Sequence, residues 1–162
     1  MGEPVSPLRA TIGARFVVVE ASLARDERLE ILIAPDDQGW VEGELEASGA
    51  IRTGTLLDGG SSFVLADGST LDVIAHDAPW LAQALECPRT APNGLPVIGL
   101  PYLVLFRLET ARTADSRQLE RLLGAASESS LARVREAVDA FAPDLRGDLE
   151  SLITLGQLAR HG

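Results

Sequence analysis

Apolar residues fall along the chain with two rhythms, one suited to strands and one to helices. "RFVVVEA", residues 15–21, is a β-branched run that predicts a buried strand. "RLEILIA", 28–34, predicts a second strand, which Pro35 stops. "DDQGWVEGELEASG", 36–49, suits a short helix with Asp36 or Asp37 as its N-cap. "AIRTGTLLDGG" and "SSFVLADGSTLDVIAHD" then predict short strands. Asp67-Gly68, between "SFVLA" and "STLDVIA", predicts a two-residue hairpin. Its second arm alternates Leu71, Val73 and Ala75 against Asp72, Ile74 and His76, a period of two with Ile74 out of step.

"PWLAQALEC", 79–87, predicts a short helix with Pro79 at its start. "PRTAPNG" is a loop and "LPVIGLP" an extended segment. From Pro101 the rhythm becomes helical. "YLVLFRLETAR" is followed by "DSRQLERLLG", which Gly124 ends. In "SESSLARVREAVDAFA", 127–142, Leu131, Val134, Val138 and Phe141 form a helical stripe predicted to face a core or another helix. "DLRGDLESLITLGQLA" predicts a last helix. The pattern describes one α/β (α+β) domain: a loose N-terminus at 1–8, a sheet-containing part at 9–100 and a helical part at 101–162.

Composition adds exclusions. The chain has 162 residues, of which 46% are hydrophobic, enough for a core, but only 4% are aromatic. Aliphatic side chains must therefore fill that core. The formal charge is −10. An acidic chain lacks the broad basic footprint that a phosphate backbone requires, so general nucleic-acid binding is disfavoured. All 14 basic residues are Arg, and a local pair could still hold one phosphate. The single Cys87 excludes an internal disulfide and a CxxC metal site. His76 and His161 are too few and too far apart for a His-rich site. No apolar run approaches the ~18 residues of a membrane span. "MGEPVSPLRA" has no signal-peptide character, and a reducing cytoplasm is the expected compartment.

Three pieces in order carry a resemblance: "DERLEILIAP", "LADGSTLDVIA" and "GLPVIGLPYLVLFRLETARTADSRQLERLLG". Together they resemble the minimal nucleotidyltransferase-like family of bacteria, with its stand-alone and toxin–antitoxin members, over roughly residues 14–124. The resemblance implies a nucleotidyltransferase-like mixed sheet followed by a helical half. It implies a Gly-rich turn after the first strand, Asp-x-Asp on the second, and a third acid on a later strand. Side chains two apart on a strand share a face, so such carboxylates can hold Mg²⁺ ions against a nucleoside triphosphate.

This chain departs from that pattern. Glu20 and Ala21 stand at the place of the Gly turn, and Arg28-Leu29-Glu30 at the place of Asp-x-Asp. Glu30 and Asp72 are the matched acids, as relic catalytic residues or, in a surviving site, as ligands of Mg²⁺. A degenerate site needs no cofactor. Beside these readings stands a plain one, in which Arg28 and Glu30 are charges on a solvated strand face. Asp26, Glu27, Asp36 and Asp37 belong to loops and caps. Arg107 and Arg112 match basic positions of the family and are candidate nucleotide-binding residues; alternatively, Asp115 caps the next helix and Arg112 pairs with it or with Glu109. Trp40 and Trp80 are expected to be core or edge anchors, Cys87 a helix-end packing residue, and His76 a strand-end residue. By the resemblance the function is that of a degenerate nucleotidyltransferase-like protein that binds a protein partner, a second copy, or a nucleotide. The alternatives are a divergent active enzyme and a structural or oligomerising protein.

Overall fold

The computed structural model describes residues 16–19, 28–56, 59–90, 95–110 and 116–161. These fall in two compact units, 1–99 and 100–162.

The first unit is built on a seven-stranded mixed sheet. Its strands are β1 (Val17–Val18), β2 (Arg28–Ile33), β3 (Ile51–Thr55), β4 (Gly60–Val64), β5 (Thr70–Ala75), β6 (Arg89–Thr90) and β7 (Pro96–Val97), and they lie in the order β3-β4-β5-β2-β1-β7-β6. β2 runs parallel to β5 and β1 parallel to β7; the other neighbours are antiparallel. β2 therefore occupies the middle of the sheet, which suits its run of large aliphatic residues.

Alternate residues of these strands form a core. Ile31 and Ile33 of β2, Leu71 and Val73 of β5, Phe63 of β4 and Val18 of β1 cluster with Val41 and Leu45. The last two lie four residues apart on α1 (Gln38–Ala47), so one face of that helix covers one face of the sheet. Full burial of each such side chain contributes about 1.5–3 kcal/mol. Trp40 sits one position before this stripe. About 100° of rotation per residue carries it outward, and it is 52% exposed rather than the anchor its size suggested. Trp80 is fully buried, as expected.

α1 opens without a side-chain cap. A 3₁₀ turn at Pro35–Asp37 feeds directly into it, and neither Asp36 nor Asp37 caps its amides. The hairpin between β4 and β5 is longer than two residues. Leu65 N–H donates to the Ser69 carbonyl, and Gly68 N–H closes a turn on the Leu65 carbonyl. Gly68 takes φ of 91°, and Asp67 accepts from the Ser69 amide at 2.9 Å and the Ser69 hydroxyl at 2.6 Å. That is a type I turn with a left-handed glycine, the usual three-residue solution. The short helix α2 (Leu81–Glu86) ends at Cys87, whose side chain is exposed rather than packed.

The second unit is helical: α3 (Leu100–Thr110), α4 (Ser116–Ala125), α5 (Glu128–Phe141) and α6 (Arg146–His161). α3 packs on α5, and α4 on α6. Ser127 caps α5 by accepting from the Ser130 amide. Leu131, Val134 and Val138 are buried as the stripe predicted. Phe141, at the last position of the helix, is only half-buried. α4 and α6 approach closely at Gly124 and Gly156: a Cβ built on either glycine would overlap backbone of the other helix. The architecture is thus α/β, a mixed sheet followed by a helical C-terminal half. No helix among the described residues is long and apolar enough to cross a membrane.

Candidate functional site

The sheet puts three polar side chains in one row. β2 and β5 pair so that Glu30 stands beside Asp72, and β4 and β5 pair so that Ser62 stands opposite Asp72. Partners in register point to the same face. Ser62, Asp72 and Glu30 therefore line up across three adjacent strands, each ~4.8 Å from the next. One step earlier, Arg28 of β2 pairs by its backbone with Thr70. Further along the same face come Leu32 and Ile74, both fully buried. The face is thus polar at the start of the two parallel strands and apolar beyond.

Within the row, Asp72 is 3% exposed and Glu30 half-buried. The Ser62 hydroxyl donates to Asp72 Oδ1 at 2.7 Å. Two carboxylates side by side on neighbouring strands repel each other, and a donor on one of them offsets part of that cost. Chemically, the row offers hard oxygen donors suited to a cation or to hydrogen-bond donors.

The opposite face carries a second carboxylate centre. Glu42 of α1, 8% exposed, accepts from the Gln38 amide at 2.9 Å and from the buried Ser61 hydroxyl at 2.9 Å. Arg52 of the edge strand β3 forms an ion pair with its other oxygen and lies over the Phe63 ring, 5.9 Å from the centroid. This centre joins α1, β3 and β4.

Of the residues singled out in sequence, Glu30 and Asp72 are brought together in register. Arg107 lies in the second unit, on α3, where it is 7% exposed with its guanidinium 5.4 Å from the Phe106 ring centroid. Arg112, Asp115, Glu20, Ala21, Asp26 and Glu27 lie outside the described residues, as does the Arg28 side chain. His76, at the end of β5, is half-buried with its ring centroid 5.5 Å from that of Trp80. The sequence reading did not single out Ser62, Ser61 or Glu42. No sequence signal named Ser62: a two-residue Asp67-Gly68 turn would set Phe63 opposite Asp72, and only the longer turn sets Ser62 there.

No protein-family model matches the chain, and no curated protein matches it. Among solved structures it is similar to the solution structure of the antibiotic-resistance factor ANT(2'')-Ia, at 14% identity and a TM-score of 0.46, over 97% of this chain and 93% of that one.

Proposed function

We propose that this chain is a nucleotidyltransferase-like protein with a degenerate active site, acting by binding a protein partner rather than by transferring a nucleotide. The observation that supports this reading is the Glu30–Asp72 register pair. Two acids stand on adjacent parallel strands where the sequence resemblance expects metal-holding carboxylates, while Arg28 takes the place of a further one. In-line transfer with two Mg²⁺ ions needs a clamp of carboxylates on both the attacking and the leaving oxygens. The donors in the row are two carboxylates, and one Asp72 oxygen already accepts from Ser62. Among the described residues no group of three His, Cys, Asp or Glu is placed to hold a metal ion. Two matched acids are fewer than a two-ion clamp uses, which supports the degenerate reading.

A second reading, a divergent active transferase with a single Mg²⁺, is favoured by the same pair. Mg²⁺ is commonly held by one or two carboxylates, with substrate phosphates completing its shell.

Isothermal titration with ATP, GTP, CTP or UTP and Mg²⁺ tests the proposal. Weak or no binding is the expected outcome, and Arg28→Asp should raise metal affinity by placing a second acid on the strand. Nucleotide transfer by the unmodified protein, abolished by Glu30→Gln or Asp72→Asn, would overturn it in favour of the active enzyme. Tight nucleotide binding without turnover would instead support a nucleotide sensor, for which Arg107 and Arg112 are the candidate phosphate ligands.

A further inference from the structure

The two consecutive serines of β4 point to opposite faces of the sheet, and each donates its hydroxyl to a carboxylate: Ser61 to Glu42 at 2.9 Å, and Ser62 to Asp72 at 2.7 Å. Ser61 is 1% exposed, Asp72 3% and Glu42 8%. β4 lies between the edge strand β3 and the inner strand β5. Its place is therefore fixed by one side-chain tie to α1 and another to β5, in addition to the backbone ladder.

Glu42 matches no family acid, and it is satisfied by Gln38, Ser61 and Arg52. Its role is to join elements. Asp72 shares its two defining features, burial and a serine donor from β4. A carboxylate that holds a hydrated cation against a phosphate works best with its oxygens presented to the ligand. A carboxylate that ties strands works best when buried and hydrogen-bonded.

We infer that Asp72 serves as a cross-strand tie rather than as a cation ligand, its carboxylate being the acceptor through which Ser62 pins β4 to β5. This rests on the degenerate-site reading, and it assigns one of the two matched acids a task that needs no Mg²⁺. The tie belongs to the sheet whether or not a partner is bound.

Guanidinium chloride unfolding of the full chain, followed by far-UV circular dichroism in EDTA and then in millimolar Mg²⁺, tests the inference. Ser62→Ala removes a donor from a buried carboxylate. The folded-to-unfolded ratio should fall about tenfold, equally in both buffers. Ser62→Thr keeps the hydroxyl and should recover most of the loss. Should Ser62→Ala not fold, Asp72→Asn keeps an acceptor oxygen and should fold with a midpoint indifferent to Mg²⁺. An unchanged midpoint in Ser62→Ala would overturn the tie. So would a Mg²⁺-dependent rise in the wild-type midpoint that Ser62→Ala or Asp72→Asn removes, since Ser62 would then support a cation ligand. Nucleotide transfer separates the two levels: transfer abolished by Glu30→Gln sinks the degenerate-site reading, whereas a silent Ser62→Ala sinks the tie alone.

Discussion

In the sheet unit, the carboxylates that join elements are buried: Glu42 is 8% exposed and Asp72 3%, and each takes a hydroxyl from β4. In the helical unit, the ion pairs that join α5 and α6 lie at the surface. Arg135 bridges α5 to Glu150 of α6, and Arg146 of α6 reaches both Glu150 and Asp139; their side chains are 31–53% exposed. The tight contact there is made by glycines instead, where α4 meets α6. The difference teaches where polar chemistry has leverage. A buried carboxylate deprived of its donor exposes the fold to the full desolvation cost, whereas an exposed ion pair contributes little. Substitutions should therefore rank by burial and not by charge.

The largest effect belongs to the core on which the buried ties rest. Phe63 is fully buried at the centre of the sheet cluster and also lies under the Arg52 guanidinium. Phe63→Ala should cost about 3–5 kcal/mol, by chemical denaturation. A loss below about 1 kcal/mol would show that the cluster closes over the gap and would end the contrast drawn between the units.

Next comes the glycine crossing. Gly156→Ala gains about 1 kcal/mol of helix propensity. Against this, its Cβ would overlap the Glu120 carbonyl oxygen, a rigid backbone atom, and overpacking of that kind costs about 1–3 kcal/mol. The two helices must separate, so the variant should be less stable than wild type in thermal unfolding. A stabilised variant would mean that the helices shift apart at no cost, leaving the helical unit without a tight contact.

How much of this was legible in the sequence follows from the range of each interaction. Local signals served well. The β-branched run of β2, the helical stripe of α5 and the break before Pro143 each rest on neighbours in the chain, and each element stands where its residues predicted. That Glu30 and Asp72 belong together was implied by the family resemblance; their adjacency in register on parallel strands was not legible in the sequence. What escaped depended on contacts distant in sequence. Trp40 has the composition of a core residue but the helical phase of a surface one, and only the sheet beneath α1 decides between them. Phe141 continues the stripe, yet at the helix end it is only half covered. Ser62 carries no motif; its partner is ten residues away across a turn whose length the Asp-Gly pair understated. Glu42 counts among the acids of a polar helix until Ser61 and Arg52 are brought to it.

The smallest expected effect tests the surface side of the contrast. The Arg135 guanidinium, with Arg146 adding to it, holds the Glu150 carboxyl down from 4.5 to about 2. A carboxyl whose value is lowered by folding contributes stability above its unfolded value, and that contribution is lost as pH falls through the folded one. The tie should thus be fully present above about pH 4.5 and disappear as pH falls toward 2. Its size is limited by exposure. With 40% of the Glu150 side chain open to water, screening holds the contribution to about 1 kcal/mol or less. Thermal unfolding measured at steps from pH 5 down to about 2 should therefore show a slightly shallower decline in Glu150→Gln than in wild type, with the two curves meeting at the acid end. Added salt should narrow the gap between them. A gap of several kcal/mol that survives high salt would place this pair among the buried ties, and the ranking by burial would fail in the unit where it is easiest to measure.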